Sequence, residues 1–239
     1  MQQEARLSSG SIYVDGSYLR NNPSWHEADS PWKARQILAL LEAHGIRPAS
    51  VCEVGCGAGE VLNRMAAELG SGVELWGYEL SPQAHELCRA KERPNLHFRL
   101  ADLLDEEGDP CDLLMAIDVF EHVEDYFAFL RRLRPRGRWK VFHIPLDLSV
   151  QSVLRGTPIT RLRASVGHIH YFTKETALAT LRDTGYEIID WRYTRGTLDL
   201  PAHSWKAGLA RLPRAWLHAL SPDWAARVLG GFSLLVLAK

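Results

Sequence analysis

Residues 51–61 read VCEVGCGAGEV: an apolar run, three glycines at alternate positions (Gly55, Gly57, Gly59) and the start of a helical pattern. Such a loop brings backbone close to a ligand between a strand and a helix. What it lacks narrows the ligand. A triphosphate-cradling GxxxxGK[ST] loop needs a Gly-Lys pair, and the chain has none. A dinucleotide loop, GxGxxG/A, needs a third small residue where this sequence has Glu60 or Leu62, and Glu53 is poorly placed beside a pyrophosphate. A carboxylate at position 53 suits a ligand whose near end is cationic or neutral.

Other polar residues recur where strands should end. Glu79, in WGYELSP, follows Gly59 by 20 residues, at the end of the second strand pattern. Asp102, in RLADLLD, follows the next strand pattern. In DVFEHV, Asp118, Glu121 and His122 stand at i, i+3 and i+4, so on a helix they share a face. Two carboxylates and an imidazole can hold a divalent metal that acidifies a bound hydroxyl. The same spacing is a capping box, with Asp118 as N-cap, Glu121 at N3 and His122 turned toward a ligand. The cap is the expectation, and no metal ligand is assigned. His143 ends a strand pattern, where residues of open α/β sheets face the ligand crevice. His168 and His170, in VGHIHYFT, lie on one side if that segment is extended. These three histidines, in the order His143, His168, His170, are the candidate bases for removing a proton from an acceptor.

The elements that must position these groups alternate. Strands are predicted over 50–54, 73–79, 96–99, 111–117, 138–144, 186–193 and 232–238, and helices over 59–69, 82–92, 121–133 and 173–184. Ahead of them, Ser30 (as N-cap) and Pro31 start a helix that ends near His44-Gly45. Alternation of this kind argues for a parallel sheet covered on both faces. Intervals 145–172 and 194–231 fall outside it and read as insertions over the substrate mouth, the second helical. Residues 1–45 form an N-terminal cap segment and 46–239 the main domain. Tyr13, Tyr18 and Trp25, near His26 and Arg35, are lid candidates. Lys33, a helical turn before Ile37, can pair with a ligand carboxylate.

The 239 residues, 46% hydrophobic with a net charge of −1, suit one domain with modest elaborations and favour neither nucleic acid nor membrane by global charge. Charge is uneven, however. Residues 148–172 carry Arg155, Arg161 and Arg163 and no acid; residues 195–230 carry Arg195, Lys206, Arg211, Arg214 and Arg227 against Asp199 and Asp223. An anionic substrate or surface is therefore expected. Trp205, Trp216 and Trp224 with Leu209, Leu212, Leu217 and Leu220 give the second insertion an amphipathic pattern that can lie on an anionic membrane, dock on the sheet or form a dimer contact. The four cysteines show no pairing pattern, MQQEARLSSG lacks a signal-peptide core, and no apolar run nears 18 residues, so a reducing cytoplasm is expected.

VCEVGCGAG resembles the E/D-x-G-x-G-x-G motif of the class I S-adenosylmethionine-dependent methyltransferases. WGYELSP, RLADLLD, CDLLMAIDVFEHVED and LRRLRPRGRWKVFHIP continue the resemblance through residue 145, with a weaker match over 170–191 and the last strand. The DVFEHV form is most similar to the ubiquinone-type and the sugar or small-molecule O-methyltransferases. The resemblance implies a Rossmann-like three-layer sandwich, with a seven-stranded, mostly parallel sheet whose last strand is antiparallel and with helical lid insertions. It implies S-adenosyl-L-methionine as cofactor and S-adenosylhomocysteine as product. Glu53 would contact the methionine end, and Lys33 its carboxylate. Gly55, Cys56, Gly57 and Gly59 would form the turn, Glu79 and Leu80 the ribose site, and Asp102 and Leu103 the adenine site. Asp118, Val119 and His122 would touch the cofactor from the end of strand four. The expected reaction is O-methylation of a small-molecule or glycan-type, anionic acceptor such as a sugar nucleotide or lipid-linked sugar. Nucleic acid is not expected as a substrate: no binding motif is present, nor is an NPPY or DPPY signature. The competing readings are a catalytically inactive S-adenosylmethionine-binding regulator or scaffold, and a nicotinamide-dependent oxidoreductase.

Overall fold

The structure, a computed structural model, describes residues 18, 20, 22, 25, 27–201 and 205–239; Tyr13 and His26 lie outside the described residues. Seven strands form one sheet: β1 (Ser50–Val54), β2 (Glu74–Glu79), β3 (Leu96–Leu100), β4 (Cys111–Ile117), β5 (Gly137–Pro145), β6 (Ile188–Thr194) and β7 (Ser233–Ala238). Their order is β3-β2-β1-β4-β5-β7-β6, and β7 runs antiparallel to both neighbours. The Rossmann-like, seven-stranded sheet with an antiparallel last strand is the fold expected from the sequence. Outward winding reverses between β1 and β4, the place where open α/β sheets leave a crevice beyond their carboxyl ends.

Burial on both faces explains why the central strands read as apolar runs. In β4, Leu113 and Met115 join one core layer, while Leu114 and Ala116 join the other. The first layer is covered by α1 (Ser30–Ala43) and α2 (Glu60–Leu69), which contribute Ile37, Leu40, Leu41, Leu62 and Met65, and by Cys88 of α3 (Pro82–Arg89). The second is covered by Leu130 and Leu133 of α4 (Tyr126–Leu133). Each fully buried leucine stabilises the fold by about 2 kcal/mol.

The two irregular intervals are helical. The first holds α5 (Val150–Arg155) and α6 (Thr157–Ser165), and α7 (Lys174–Asp183) follows it. The second holds α8 (Gly196–Asp199), α9 (Trp205–Leu209), α10 (Arg211–Leu220) and α11 (Pro222–Trp224), which widens into a π turn at Ala225–Leu229. No helix among the described residues is long and apolar enough to cross a membrane.

Local expectations are corrected at three helix starts and ends. Asp29, not Ser30, occupies the N-cap position of α1. Helix α3 stops at Arg89, short of position 92. The helix expected over 121–133 is split: Phe120–His122 make a single 3-10 turn, and α4 begins after Asp125, whose carboxylate accepts from Ala128 N–H at 3.0 Å. Asp118 therefore caps nothing. It has φ +55°, a left-handed conformation uncommon outside glycine that Asp tolerates better than most residues.

Candidate active site

The carboxyl ends of β1 to β5 open into one cavity of about 1480 Å³, roofed by residues from both inserted segments. Small-molecule sites commonly hold about 300–1,000 Å³, so this one has room for a cofactor and a second molecule.

The glycine loop builds one end. Gly59 has φ +75°, and a Cβ there would lie 2.5 Å from the ring of Phe98, so only glycine lets the chain turn from loop into α2. Glu79 holds the loop from below: its carboxylate accepts from Gly57, Leu80 and Ser81 N–H, each at 2.8 Å. That leaves one of about four acceptor positions open toward the cavity. Burial outweighs these bonds and raises the Glu79 carboxyl above its ordinary value.

Glu53 is different. It is 2% exposed, lines the cavity, and its Oε2 has no hydrogen-bond partner among the described residues. Burial pushes its carboxyl up to about 8 against the opposing charge of Lys33, while Glu79 and Asp118 add to the rise. A buried carboxylate left this way is costly unless a cation arrives.

Asp118 organises the centre. Lys33 donates to its Oδ2 and His143 Nδ1 to its Oδ1, each at 2.6 Å, and Asp118 N–H donates to the His143 carbonyl. Although burial opposes its charge, His143 and Lys33 hold the Asp118 carboxyl well below the usual carboxylate range. Burial also opposes the Lys33 ammonium, but Asp118 raises it above its ordinary value. Lys33 thus pairs first with Asp118; its two remaining N–H groups are what a ligand carboxylate could use.

His143 Nε2 lies 2.8 Å from Thr194 Oγ1, which completes a Thr194–His143–Asp118 chain with the distances of a nucleophilic triad. Thr194 is only 2% exposed and does not line the cavity, so the chain is structural. With both ring nitrogens engaged, His143 is poorly placed to take a substrate proton.

The other two histidines part company. His168 lines the cavity and donates through Nδ1 to Asp147 Oδ2 at 2.6 Å. His170 does not line it: its Nε2 bonds the main-chain carbonyls of Val123 and Glu124 at 2.9 and 3.2 Å. A common side for both was expected if the segment is extended; only His168 lines the cavity. Beside His168 stand His122 and Glu121, with the imidazole rings edge to face and 4.8 Å apart.

The remaining expected contacts divide similarly. Gly55, Cys56, Gly57, Leu80, Asp102, Val119, Tyr18 and Trp25 line the cavity, whereas Gly59 and Leu103 do not. Leu103 is buried in the core, and Leu104 takes the lining position. Asp102 spends one oxygen on Leu104 N–H at 2.9 Å and keeps the other. Of the basic residues, Arg155, Arg161, Arg211 and Arg214 line the cavity, while Arg163 is exposed outside it. Asp147 and Thr194 were not anticipated. Asp147 had a faint signal, following strand five in IPLDL.

A family model described as a methyltransferase domain matches residues 24–190. The chain belongs to that family: it is a class I S-adenosylmethionine-dependent methyltransferase domain. No curated protein matches the chain significantly in sequence. Among solved structures, it resembles the methyltransferase complexed with the Trm112 activator of Haloferax volcanii (15% identity, 98% of this chain and 97% of that one, TM-score 0.63). It also resembles the magnesium protoporphyrin IX methyltransferase of Synechocystis PCC 6803 (17%, 97% and 94%, TM-score 0.59). A third is the N-methyltransferase NodS of Bradyrhizobium japonicum WM9 (15%, 98% and 98%, TM-score 0.61). These likenesses extend the shared fold over nearly the whole chain.

The residues present suit the methyltransferase cofactor. S-adenosylmethionine carries an ammonium and a sulfonium and no phosphate, and the buried Glu53 carboxylate beside the glycine turn, its Oε2 without a partner among the described residues, is a cation-seeking group. Glu79 and Asp102 line the same cavity, and each keeps acceptor capacity beyond its main-chain bonds.

Proposed function

We propose that this methyltransferase domain methylates a hydroxyl of an anionic small-molecule or glycan-type acceptor. The observation that carries the reading is the polarity of the cavity. Carboxylates crowd the strand ends, whereas Arg155 and Arg161 face the cavity from the inserted segments with no ion-pair partner among the described residues. Arg211 and Arg214 lend less, since both are spent on main-chain carbonyls: Arg211 on Leu200, Arg214 on Ala210, Leu229 and Gly230. Two exposed guanidiniums lining the cavity, without an ion-pair partner among the described residues, suit a phosphate group.

The bound cofactor supplies an electrophilic methyl on its sulfonium. Glu53, with Lys33 behind it, would hold the methionine end, Glu79 with Leu80 the ribose, and Asp102 the adenine. The chain's part in the transfer is alignment and proton removal. We place proton removal at the corner formed by Glu121, His122 and His168, with His143 positioning Asp118. With the cofactor bound, its methyl would pass from sulfur to the acceptor oxygen, leaving a neutral thioether and one proton for the protein to remove.

A lipid-linked acceptor is favoured by the outer surface. Trp205, Leu209, Leu212, Trp216 and Leu220 recur at helical spacing, and each is more than half exposed, as is Leu154 on neighbouring α5. The stripe faces outward rather than docking on the sheet, which suits a cytoplasmic enzyme meeting a membrane surface.

The test is transfer of labelled methyl from S-adenosylmethionine to sugar phosphates and nucleotide sugars, with neutral glycosides alongside. Phosphorylated acceptors should be preferred, and Arg155→Ala with Arg161→Ala should raise their KM at least tenfold while leaving S-adenosylhomocysteine affinity intact. Equal use of neutral acceptors by both proteins would refute the anionic assignment.

A further inference from the structure

We propose that Glu121, His122 and His168 bind one divalent transition-metal ion at the acceptor end of the cavity. One potential ligand atom from each of the three lies within 4.8 Å of the others. Proximity alone would be weak evidence. Glu121 makes it strong: its side chain is fully buried, and neither carboxylate oxygen has a hydrogen-bond partner among the described residues. Protonation would not cure this, because a neutral carboxyl still needs a donor and an acceptor. Such a group is costly to bury unless something is bound to it.

The histidines are already oriented for coordination. His168 gives its Nδ1 proton to Asp147 Oδ2 at 2.6 Å, and His122 Nδ1 faces the Gly167 carbonyl at 3.1 Å. Both bonds fix the tautomer that carries a lone pair on Nε2. In His122 that atom lies 3.8 Å from Glu121 Oε1, a gap that suits an ion rather than a direct hydrogen bond. A carboxylate behind a ligating imidazole is the usual outer support of such a site, so Asp147 is a positioning residue for His168. The main chain fixes the corner as well, since Ile169 and His170 N–H both donate to the Glu121 carbonyl at 3.0 Å.

Donor chemistry selects the ion. Two imidazoles and one carboxylate suit zinc, iron, cobalt or manganese, whereas Mg²⁺ and Ca²⁺ prefer oxygen ligands throughout. Three protein ligands leave positions open for the acceptor. The role of the ion rests on the methyl-transfer reading: it would lower the pKa of a coordinated hydroxyl so that the proton leaves to bulk water near neutral pH. This revises the expectation from sequence alone, which assigned no metal ligand; the ligand set is also not Asp118, Glu121 and His122, since Asp118 is committed to Lys33 and His143.

The experiment is titration of the metal-stripped full chain with Co²⁺, followed by visible absorption and by metal content after desalting. One equivalent should bind, survive a hundredfold excess of Mg²⁺ and be displaced by Zn²⁺. Glu121→Gln and His168→Ala should each weaken binding at least a hundredfold, Asp147→Asn about tenfold, and His170→Ala should leave it unchanged. S-adenosylhomocysteine titration of the same samples checks folding and reports separately on the methyl-transfer reading. No stoichiometric Co²⁺ binding, displacement by Mg²⁺, or binding that persists in both ligand variants would overturn the site.

Discussion

Replacing Glu53 by Gln isolates the electrostatic logic of the cofactor end. The rise of its carboxyl from 4.5 to about 8 corresponds to about 5 kcal/mol, at about 1.4 kcal/mol for each pH unit. At pH 7 the unliganded protein should therefore hold Glu53 roughly 90% protonated. An ammonium arriving beside it favours the carboxylate, so binding must expel that proton. Calorimetric titration of S-adenosylhomocysteine at pH 7, in buffers of different ionisation enthalpy, should report release of about 0.9 proton per ligand. Glu53→Gln should bind more weakly and release almost none. The same group shapes stability without ligand. The folded chain binds more protons than the unfolded one between pH 4.5 and about 8, so stabilisation present below that window is lost as pH rises through it. Glu53→Gln should flatten that slope in chemical denaturation. Proton-neutral binding by the wild type, or an unchanged slope in the variant, would refute the reasoning.

Two further perturbations follow from particular contacts. Gly59→Ala puts a Cβ 2.5 Å from Phe98 at φ +75°, which should cost about 2–5 kcal/mol in urea denaturation and weaken S-adenosylhomocysteine binding with it. Leu212→Ser with Trp216→Ser and Leu220→Ser removes exposed apolar surface only, so thermal stability should hold while co-sedimentation with anionic phospholipid vesicles is lost; retained sedimentation would remove the membrane role.

Strands were legible because their signal is local and repeated. The alternate residues of β4 enter two core layers, so the whole run is apolar, and its predicted bounds, 111–117, match Cys111–Ile117. The glycine loop was legible because positive φ leaves few residue choices. Polar groups whose partners are distant in sequence were not. Asp118-x-x-Glu121 has the spacing of a cap, yet Lys33, 85 residues away, and His143 claim the Asp118 carboxylate, and Asp125 takes the cap of α4. His168 and His170 share a pattern of alternation, but only the former has an acid, Asp147, to turn it toward the cavity. The outward stripe on α9 and α10 could not be told from a docked one, because amphipathic spacing says which residues share a face and not what that face meets.

The most direct test of the central claim is calorimetric titration of S-adenosylhomocysteine, with NADH as the competing ligand, into wild type and Glu79→Ala. The account predicts micromolar binding of S-adenosylhomocysteine alone, lost or severely weakened in the variant. Binding of NADH, or of neither ligand by the wild type, would contradict it.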